Sequence, residues 1–222
     1  MFVTTTDRNK TNAKRVVSPL RSSSSKRRRA VMALLVLISA AAGLAGLTMS
    51  AGGGDTRAQR ESGPFAPFDK VDAVGFRILG PRLFSVSDLV SAKDAKDGKP
   101  YRVTLSGEGP THEPIRVAAE LSETVPGTSS ANARSLANRV AAASGGSIED
   151  LTDARVSIGL EDEASVGFKF RTNDGTPALG IVVYAKTADG KDLSLQILYA
   201  AKDAKVVEAS LVPVLLDSVK VQ

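Results

Sequence analysis

The fold is decided by three stretches that alternate apolar with polar or small residues. Residues 164–172 read Ala-Ser-Val-Gly-Phe-Lys-Phe-Arg-Thr, residues 178–186 read Ala-Leu-Gly-Ile-Val-Val-Tyr-Ala-Lys, and residues 193–199 read Leu-Ser-Leu-Gln-Ile-Leu-Tyr. This period of two is typical of strands with one buried face. Asn173-Asp174-Gly175 and Ala188-Asp189-Gly190 are turn signals between them. With a fourth alternating stretch upstream, Ala154–Leu160, they predict a four-stranded antiparallel meander.

Two helical segments are predicted to cover one face of this sheet. The first begins with Ser129 or Ser130 as its N-cap, runs to about Ala143 and ends at Gly145-Gly146. The second spans Ala204–Val219 and contains a proline that breaks it, kinks it or starts a second helix at its first turn. The apolar stripe of the first helix consists of Ala133, Leu136, Ala137, Val140 and Ala141.

Residues 70–128 carry a weaker pattern. Phe76–Leu79 and Tyr101–Leu105 resemble short strands, Ile115–Leu121 fits either a strand or a helix, and Asp94–Lys99 reads as a loop. Because strands follow one another and are flanked by helices rather than alternating with them, the predicted class is α+β: an antiparallel meander packed by two or more helices.

The end of the chain also resembles a known family. A hairpin from Ile181–Lys186 to Leu193–Ala200 is followed by a closing helix that ends in Leu215-Leu-Asp-Ser-Val-Lys-Val221. This order of elements over about 90 residues is similar to the C-terminal half of PsbP-like domains. The resemblance implies an antiparallel sheet packed by helices, in a family used mainly for the binding and assembly of partners. It implies no functional residue.

The first 48 residues predict a membrane segment. Four basic residues, Lys26, Arg27, Arg28 and Arg29, directly precede eighteen residues (30–47) in which only Ser39 is polar. A helix of that length is about 27 Å long, close to the ~30 Å of a bilayer's hydrocarbon core. Because the basic cluster lies on the N-terminal flank, the positive-inside rule predicts a single-pass protein with its N-terminus in the cytoplasm.

The predicted organisation has four parts. They are a disordered basic cytoplasmic tail (1–29), a transmembrane helix or signal anchor (30–48), a flexible linker (49–69) and an α+β domain (70–222) that is periplasmic or extracellular. Phe65 and Phe68 dock the linker onto the domain or lie at the membrane surface. In the alternative, Thr56-Arg57-Ala58 is a signal-peptide cleavage site, and the domain is secreted after cleavage near Ala58.

Charge and composition narrow the function classes. The chain carries a net charge of +5, but residues 1–29 hold nine basic residues and one acidic residue, so the remaining 193 residues are mildly acidic. This distribution argues against a nucleic-acid partner. The chain contains no cysteine, which excludes disulfides, thiol catalysis and Cys-ligated metals.

The search for catalytic and ligand-binding motifs finds few candidates. The one histidine, His112, lies in a proline-bracketed loop, and no phosphate-binding glycine loop or zinc spacing is present. Glu161-Asp162-Glu163 is interpreted as an acidic turn between strands. No catalytic residue, cofactor or metal is therefore predicted. Lys169 and Arg171, on the face opposite Val166 and Phe168, form with Arg155 a basic stripe that could face an acidic partner.

The leading hypothesis is a non-enzymatic, membrane-anchored module that binds a protein or an envelope component outside the cytoplasm. Two alternatives stay open. The chain could be an exported hydrolase that uses carboxylates or a Ser/Lys pair, which would need a deep pocket with two close carboxylates of raised pKa. It could also be a secreted carrier of a small ligand, which would need an apolar cavity between the sheet and the helices.

Overall fold

The computed structural model describes residues 56–89 and 101–222. All of them belong to one of two units of the chain, Leu44–Gln222. The helices are α1 (Thr56–Ser62), α2 (Ser129–Ala143), α3 (Ala204–Ser210) and α4 (Val212–Ser218). The strands are β1 (Phe68–Ala73), β2 (Phe76–Pro81), β3 (Ser85–Ser87), β4 (Tyr101–Glu108), β5 (Pro114–Ser122), β6 (Ile148–Asp153), β7 (Asp162–Arg171), β8 (Pro177–Lys186), β9 (Asp192–Ala200) and β10 (Lys220–Val221).

The strands form two antiparallel sheets. The larger has seven strands in the order β3-β4-β5-β9-β8-β7-β6, and the smaller has three in the order β1-β2-β10. Strands β6 to β9 are consecutive in the chain and adjacent in the sheet, which confirms the predicted meander and the α+β class. Strand β5 resolves the ambiguous segment Ile115–Leu121 as a strand, and it joins the meander through its pairing with β9.

The first strand of the meander is not the one predicted. Strand β6 covers Ile148–Asp153, and its backbone bonding to β7 ends with Ala154 N, which donates to Ser165 O at 2.9 Å, so that residues 155–161 belong to no strand. Three alternate side chains of that segment, Val156, Ile158 and Leu160, are half-buried against the core. Its amides bond side chains instead: Val156 N donates to Ser165 Oγ at 3.3 Å, and Ile158 N donates to Glu163 Oε2 at 3.1 Å. The alternating pattern of residues 154–160 therefore reflects burial of one side of the segment and not pairing with another strand.

One face of the seven-stranded sheet, here called the inner face, is covered over most of its area, although on β7 Lys169 is half-buried and Arg171 is exposed on this face. Its side chains pack against the three-stranded sheet through Phe76 and Ile78, and against α3 and α4 through Val207, Leu211 and Leu215, all of which are buried. The buried strand residues on this face are Val103, Leu105, Ile115, Val117, Ala119, Leu121, Ile181, Val183, Leu193, Leu195, Ile197 and Tyr199.

The opposite face, here called the outer face, is covered by α2 over β7 and β8. All five residues of the predicted apolar stripe are buried there. The N-cap is Thr128, however, whose hydroxyl accepts from Ala131 N at 3.2 Å. Ser129 is already helical, and its hydroxyl donates to the backbone oxygen of Asp162 at 3.1 Å. This contact ties the helix to the start of β7.

The predicted end of α2 is confirmed. Gly145 has φ +78°, Gly146 N donates to Ala141 O at 3.0 Å, and Gly145 N donates to Ala142 O at 2.9 Å. These two bonds form a Schellman motif, which a left-handed glycine allows. At the C-terminus, Pro213 lies in the first turn of α4, so the predicted option of a second helix is the one observed.

Residues 56–69, predicted to be part of a flexible linker, pack on the domain. Gln59 Nε2 donates to Ala209 O at 2.9 Å, and Arg60 forms an ion pair with Asp217. Phe65 is buried and meets Phe84 edge-on, with ring centroids 6.3 Å apart. Phe68 is half-buried against the core, which confirms that the two phenylalanines dock this segment.

The predicted membrane segment, residues 30–48, and the basic cluster Lys26–Arg29 lie outside the described residues, as does the loop Asp94–Lys99. Within residues 56–89 and 101–222, no helix has the length and hydropathy to cross a membrane.

Candidate functional site

The outer face leaves a groove where α2 does not cover it. Helix α2 lies over β7 and β8, so the outer sides of β4, β5 and β9 form an open floor with the helix as one wall. Two adjacent hollows make up this groove: an upper one of about 480 Å³ and a lower one of about 230 Å³. They share the residues Arg116, Ser144 and Leu198.

The strand register builds the floor of the upper hollow. Ala178 lies opposite both Ala200 and Phe170, and Leu198 is the next residue of β9 on the same face. The two alanines are too short to fill the space beside the Phe170 ring, so an apolar depression remains. The turn between β7 and β8 and the start of β5 form its rim, through Thr172, Asn173, Asp174, Thr176, Glu113 and Pro114.

Three arginines from three separate elements line the lower hollow: Arg102 on β4, Arg116 on β5 and Arg139 on α2. Glu120, which lies directly opposite Arg102 in the register, is the carboxylate among the lining residues. Among the described residues, no side chain forms an ion pair or hydrogen bond with any of these three guanidinium groups. Nε of Arg102 is buried and has no hydrogen-bond partner.

A buried N–H group without an acceptor is costly, because it has lost its water without gaining a protein partner. Guanidinium groups also present a fixed fork of donors that matches carboxylate and phosphate oxygens. The lower hollow therefore offers a net positive, donor-rich surface inside a domain whose overall charge is mildly acidic.

The carboxylates of the upper hollow are already engaged. Glu113 forms an ion pair with Lys202 at 2.6 Å. The pKa of Asp174 is lowered from its usual value, first by the hydrogen bond from the Thr172 hydroxyl and then by the amide of Thr176, whose nitrogen lies at 3.0 Å. An aspartate held in its ionised form cannot donate a proton at neutral pH. The structure thus does not favour the pair of carboxylates with raised pKa that the hydrolase hypothesis would need.

A second polar cluster on the outer face has a structural role. The hydroxyl of Tyr184 donates to Asp192 Oδ2 at 2.7 Å in the interior, and the same carboxylate oxygen accepts from Val125 N. Burial raises the pKa of Tyr184, and the bond to Asp192 raises it further. These hydrogen bonds hold the segment before α2 against the end of β8 and the start of β9.

The predicted basic stripe is not gathered into one site. Lys169 and Arg171 do lie on the face of β7 opposite Val166 and Phe168, as predicted, but Arg171 forms an ion pair with Glu149 at 2.8 Å. Arg155 is not on a strand. It lies just beyond Asp153, which pairs with Val166, whereas Lys169 pairs with Asp150. At ~3.3 Å per residue, roughly 16 Å of strand separates Arg155 from Lys169.

The remaining sequence candidates lie at turns. His112 is exposed in the turn between β4 and β5, where its Nδ1 is 3.2 Å from Glu108 Oε2. In the acidic turn, Glu163 accepts from the amides of Ile158 and Leu160, and Asp162 accepts from Ser129. Across the part of the chain that the structure describes, no group of three or more potential ligands could hold a metal ion.

Sequence reasoning missed all three groove arginines as a site. Arg139 lies off the apolar stripe predicted for its helix, and Arg102 and Arg116 belong to segments whose sequence pattern is weak. One signal was available: if Ile115–Leu121 is taken as a strand, Arg116, Ala118 and Glu120 share its non-core face. The convergence with Arg102 depends on the β4–β5 register, which the sequence did not predict.

Comparison with known proteins gives similarity in structure only. No protein-family model and no curated protein matches the chain. The solution structure of cyanobacterial PsbP (CyanoP) from Synechocystis sp. PCC 6803 is 16% identical, with a TM-score of 0.42, and the match covers 73% of this chain and 98% of that chain. The crystal structure of the Saccharomyces cerevisiae Ran-binding protein Mog1p is 11% identical, with a TM-score of 0.46, and the match covers 69% and 95%. The first of these two structures is a PsbP protein, the family that the end of the chain resembles in its sequence.

Proposed function

We propose that this chain is a non-catalytic binding module that its N-terminal segment anchors in the membrane, with the α+β domain outside the cytoplasm and the groove as its binding site for a protein or an envelope component. The observation that carries the binding site is the lower hollow. Arg102, Arg116 and Arg139 converge there, beside an apolar floor, and within residues 56–89 and 101–222 their guanidinium groups have no hydrogen-bond or ion-pair partner.

Two physical arguments support a binding role. A concave surface with a mainly apolar floor and a few convergent polar groups is the usual form of a ligand site. A ligand that supplies acceptors would also gain charge-assisted hydrogen bonds from the exposed guanidinium groups of Arg116 and Arg139, which are stronger than bonds between neutral groups.

The location can be tested because the chain contains no cysteine. A single cysteine at Ser157, which is exposed on the domain, and one at Ser23 in the basic tail would each report one side of the membrane. In intact cells, a membrane-impermeant maleimide should label Ser157→Cys, whereas Ser23→Cys should react only after permeabilisation. The reverse pattern would overturn the proposed orientation.

The binding site can be tested with a photocrosslinking residue. Ala143 lies on the rim of the lower hollow, and Lys205 is an exposed position on α3 that serves as the control. In cells that express the full chain, we expect crosslinked products from position 143 but not from 205. These products should disappear in an Arg102→Gln/Arg139→Gln background. Equal crosslinking at both positions, or products that persist without the two arginines, would contradict the proposal.

The upper hollow also favours a second candidate, a secreted carrier of a small ligand. Its apolar floor lies between the sheet and the end of α2, which is the kind of cavity that this hypothesis needs. Cleavage after Ala58 would leave Gln59 and Arg60, the two residues of α1 that contact α3 and α4. The mass of the protein in membrane and soluble extracytoplasmic fractions distinguishes the candidates. An intact chain in the membrane supports the anchor, and a soluble form that starts near Gln59 supports the carrier.

A further inference from the structure

We infer that the groove binds an anionic amphiphile, with a carboxylate or phosphate head in the lower hollow and an apolar chain in the upper one. This inference rests on the proposed binding function and names the chemical class of its ligand.

The head group follows from the charges that face the lower hollow. Arg102, Arg116 and Arg139 approach from two strands and one helix, and Glu120 is the acidic residue that lines the hollow with them. A single anionic group could accept from guanidinium groups on opposite walls, which matches the bidentate geometry that arginine offers to carboxylates and phosphates. In the part of the chain that the structure describes, none of these three arginine side chains has an ion-pair or hydrogen-bond partner, so their charges are available to an anion at this end.

The apolar part of the ligand follows from the floor of the upper hollow. Four apolar side chains line it: Phe170, Ala178, Leu198 and Ala200. Its volume of about 480 Å³ falls within the range of small-molecule sites, roughly 300–1,000 Å³. Covering this floor with hydrocarbon would remove apolar surface from water on both partners.

The distribution of charge sets the orientation. Asp174 is ionised at the rim of the upper hollow, and Glu113 beside it is neutralised by Lys202, so an anion is disfavoured at that end. The positive side chains lie toward the lower end of the same groove. From Pro114 to Glu120, strand β5 spans the floor for about 20 Å at ~3.3 Å per residue, which is a length suited to a head and a medium-length chain.

An acidic peptide is the competing occupant. It is less favoured because the apolar floor of the upper hollow is a single depression on regular strands, whereas a peptide would need separate pockets for alternate side chains. The test therefore includes it as an outcome.

The experiment uses the full chain in phosphatidylcholine nanodiscs, with Ala143→Cys labelled by an environment-sensitive fluorophore at the rim. The probes are octyl phosphate, inorganic phosphate and octyltrimethylammonium, each corrected against empty nanodiscs. We expect saturable binding of octyl phosphate, with affinity about ten-fold or more above that of either other probe, because each lacks one of the two interactions.

Two variants test the two ends of the site. Arg102→Gln/Arg139→Gln should weaken octyl phosphate binding by about ten-fold or more. Ala178→Leu should weaken it by filling the floor, with the fold checked by circular dichroism. Lys169→Gln removes a positive charge from the opposite face of the sheet and should leave binding unchanged. If Ala178→Leu fails to fold, the arginine pair and its lysine control still decide the question.

The proposal of an anionic amphiphile would be overturned if the cationic probe bound as tightly as octyl phosphate, or if the arginine variant bound octyl phosphate as tightly as the unmodified chain. If octyl phosphate does not bind but crosslinking from position 143 remains dependent on the arginines and yields a protein, the ligand class is wrong and the proposed function stands. If both experiments are negative, the groove is not a binding site and both proposals fall.

Discussion

The two faces of the seven-stranded sheet are made by the same strands but have different properties. On β9, Ile197 faces inward and is fully buried, while its neighbour Leu198 faces outward, is only partly buried and lines the groove. The inner face is closed by a second sheet and two helices. The outer face is closed by one helix over β7 and β8 and is open over β4, β5 and β9.

The difference shows how alternation along a strand separates stability from binding. Each strand contributes every second residue to a core that leaves no room for a ligand. The residues between them on β4, β5 and β9 include side chains that are exposed or only half-buried, such as Arg116, Glu120 and Leu198, and these are available to form a site. The inner face should therefore respond to substitution with a loss of stability, and the open half of the outer face with a loss of binding.

The largest effect is expected at Ile197. Ile197→Ala should lower the free energy of unfolding by about 2–5 kcal/mol, because truncating a fully buried side chain leaves a cavity in the core. Leu198→Ala, one residue away on the other face, should lower the free energy of unfolding by a clearly smaller amount. Chemical denaturation of both variants measures the contrast. Equal losses would mean that the groove floor is as tightly packed as the core.

The covered half of the outer face should show an intermediate effect at Tyr184. Tyr184→Phe removes the hydroxyl that donates to Asp192, and should lower the free energy of unfolding by about 1–3 kcal/mol because a buried carboxylate loses a partner. Tyr101→Phe, at a half-buried tyrosine on β4, is the matched control and should change little. An effect of Tyr184→Phe no larger than that of the control would show that the bond to Asp192 adds nothing.

In the open half, stability and binding should separate. Arg116→Gln should change the free energy of unfolding by no more than about 0.5 kcal/mol, because the side chain is exposed and has no partner among the described residues. The same substitution should weaken octyl phosphate binding, since Arg116 lines both hollows. A marked loss of stability without a change in binding would place Arg116 with the structural residues.

The smallest effect is expected on the solvent side of the small sheet that covers the inner face. The pKa of the exposed Asp69 is lowered from its usual value of 3.8, chiefly by its hydrogen bond from Arg82. Because the folded pKa lies below the unfolded one, the pair stabilises the protein above the unfolded pKa. That contribution is lost as the pH falls through the folded pKa.

Asp69→Asn should therefore differ from the unmodified chain in its free energy of unfolding at neutral pH, and the difference should disappear as the pH falls below 3.8 and through the lowered pKa of the folded state. Arg82→Gln should reproduce the same pH dependence, because it removes the other partner. Denaturation curves at several pH values measure both variants, and a difference that stays constant down to the lowest pH would contradict the assignment.

Much of the fold was predictable because its signals are local. Alternation and glycine-containing turns indicate strands β7, β8 and β9. The apolar stripe and the two terminal glycines indicate α2, and Pro213 indicates the break after α3. The prediction failed for β6, whose pairing shifts register between Ile148 and Asp150, and for the segment that follows it. Alternation measures which side chains are buried, and a segment packed against a core by its side chains alternates as a paired strand does.

By itself, the sequence determined the α+β class, the meander, the long helix and the broken C-terminal helix. Each of these features is indicated by a pattern among residues that are close together in the sequence. Only the tertiary structure decided the small sheet, in which β10 pairs with residues of β2 more than 140 positions earlier, and the groove, in which Arg102, Arg116 and Arg139 meet. These features depend on which strands pair and in what register, and that choice is made by the burial of the whole inner face, not by any local pattern.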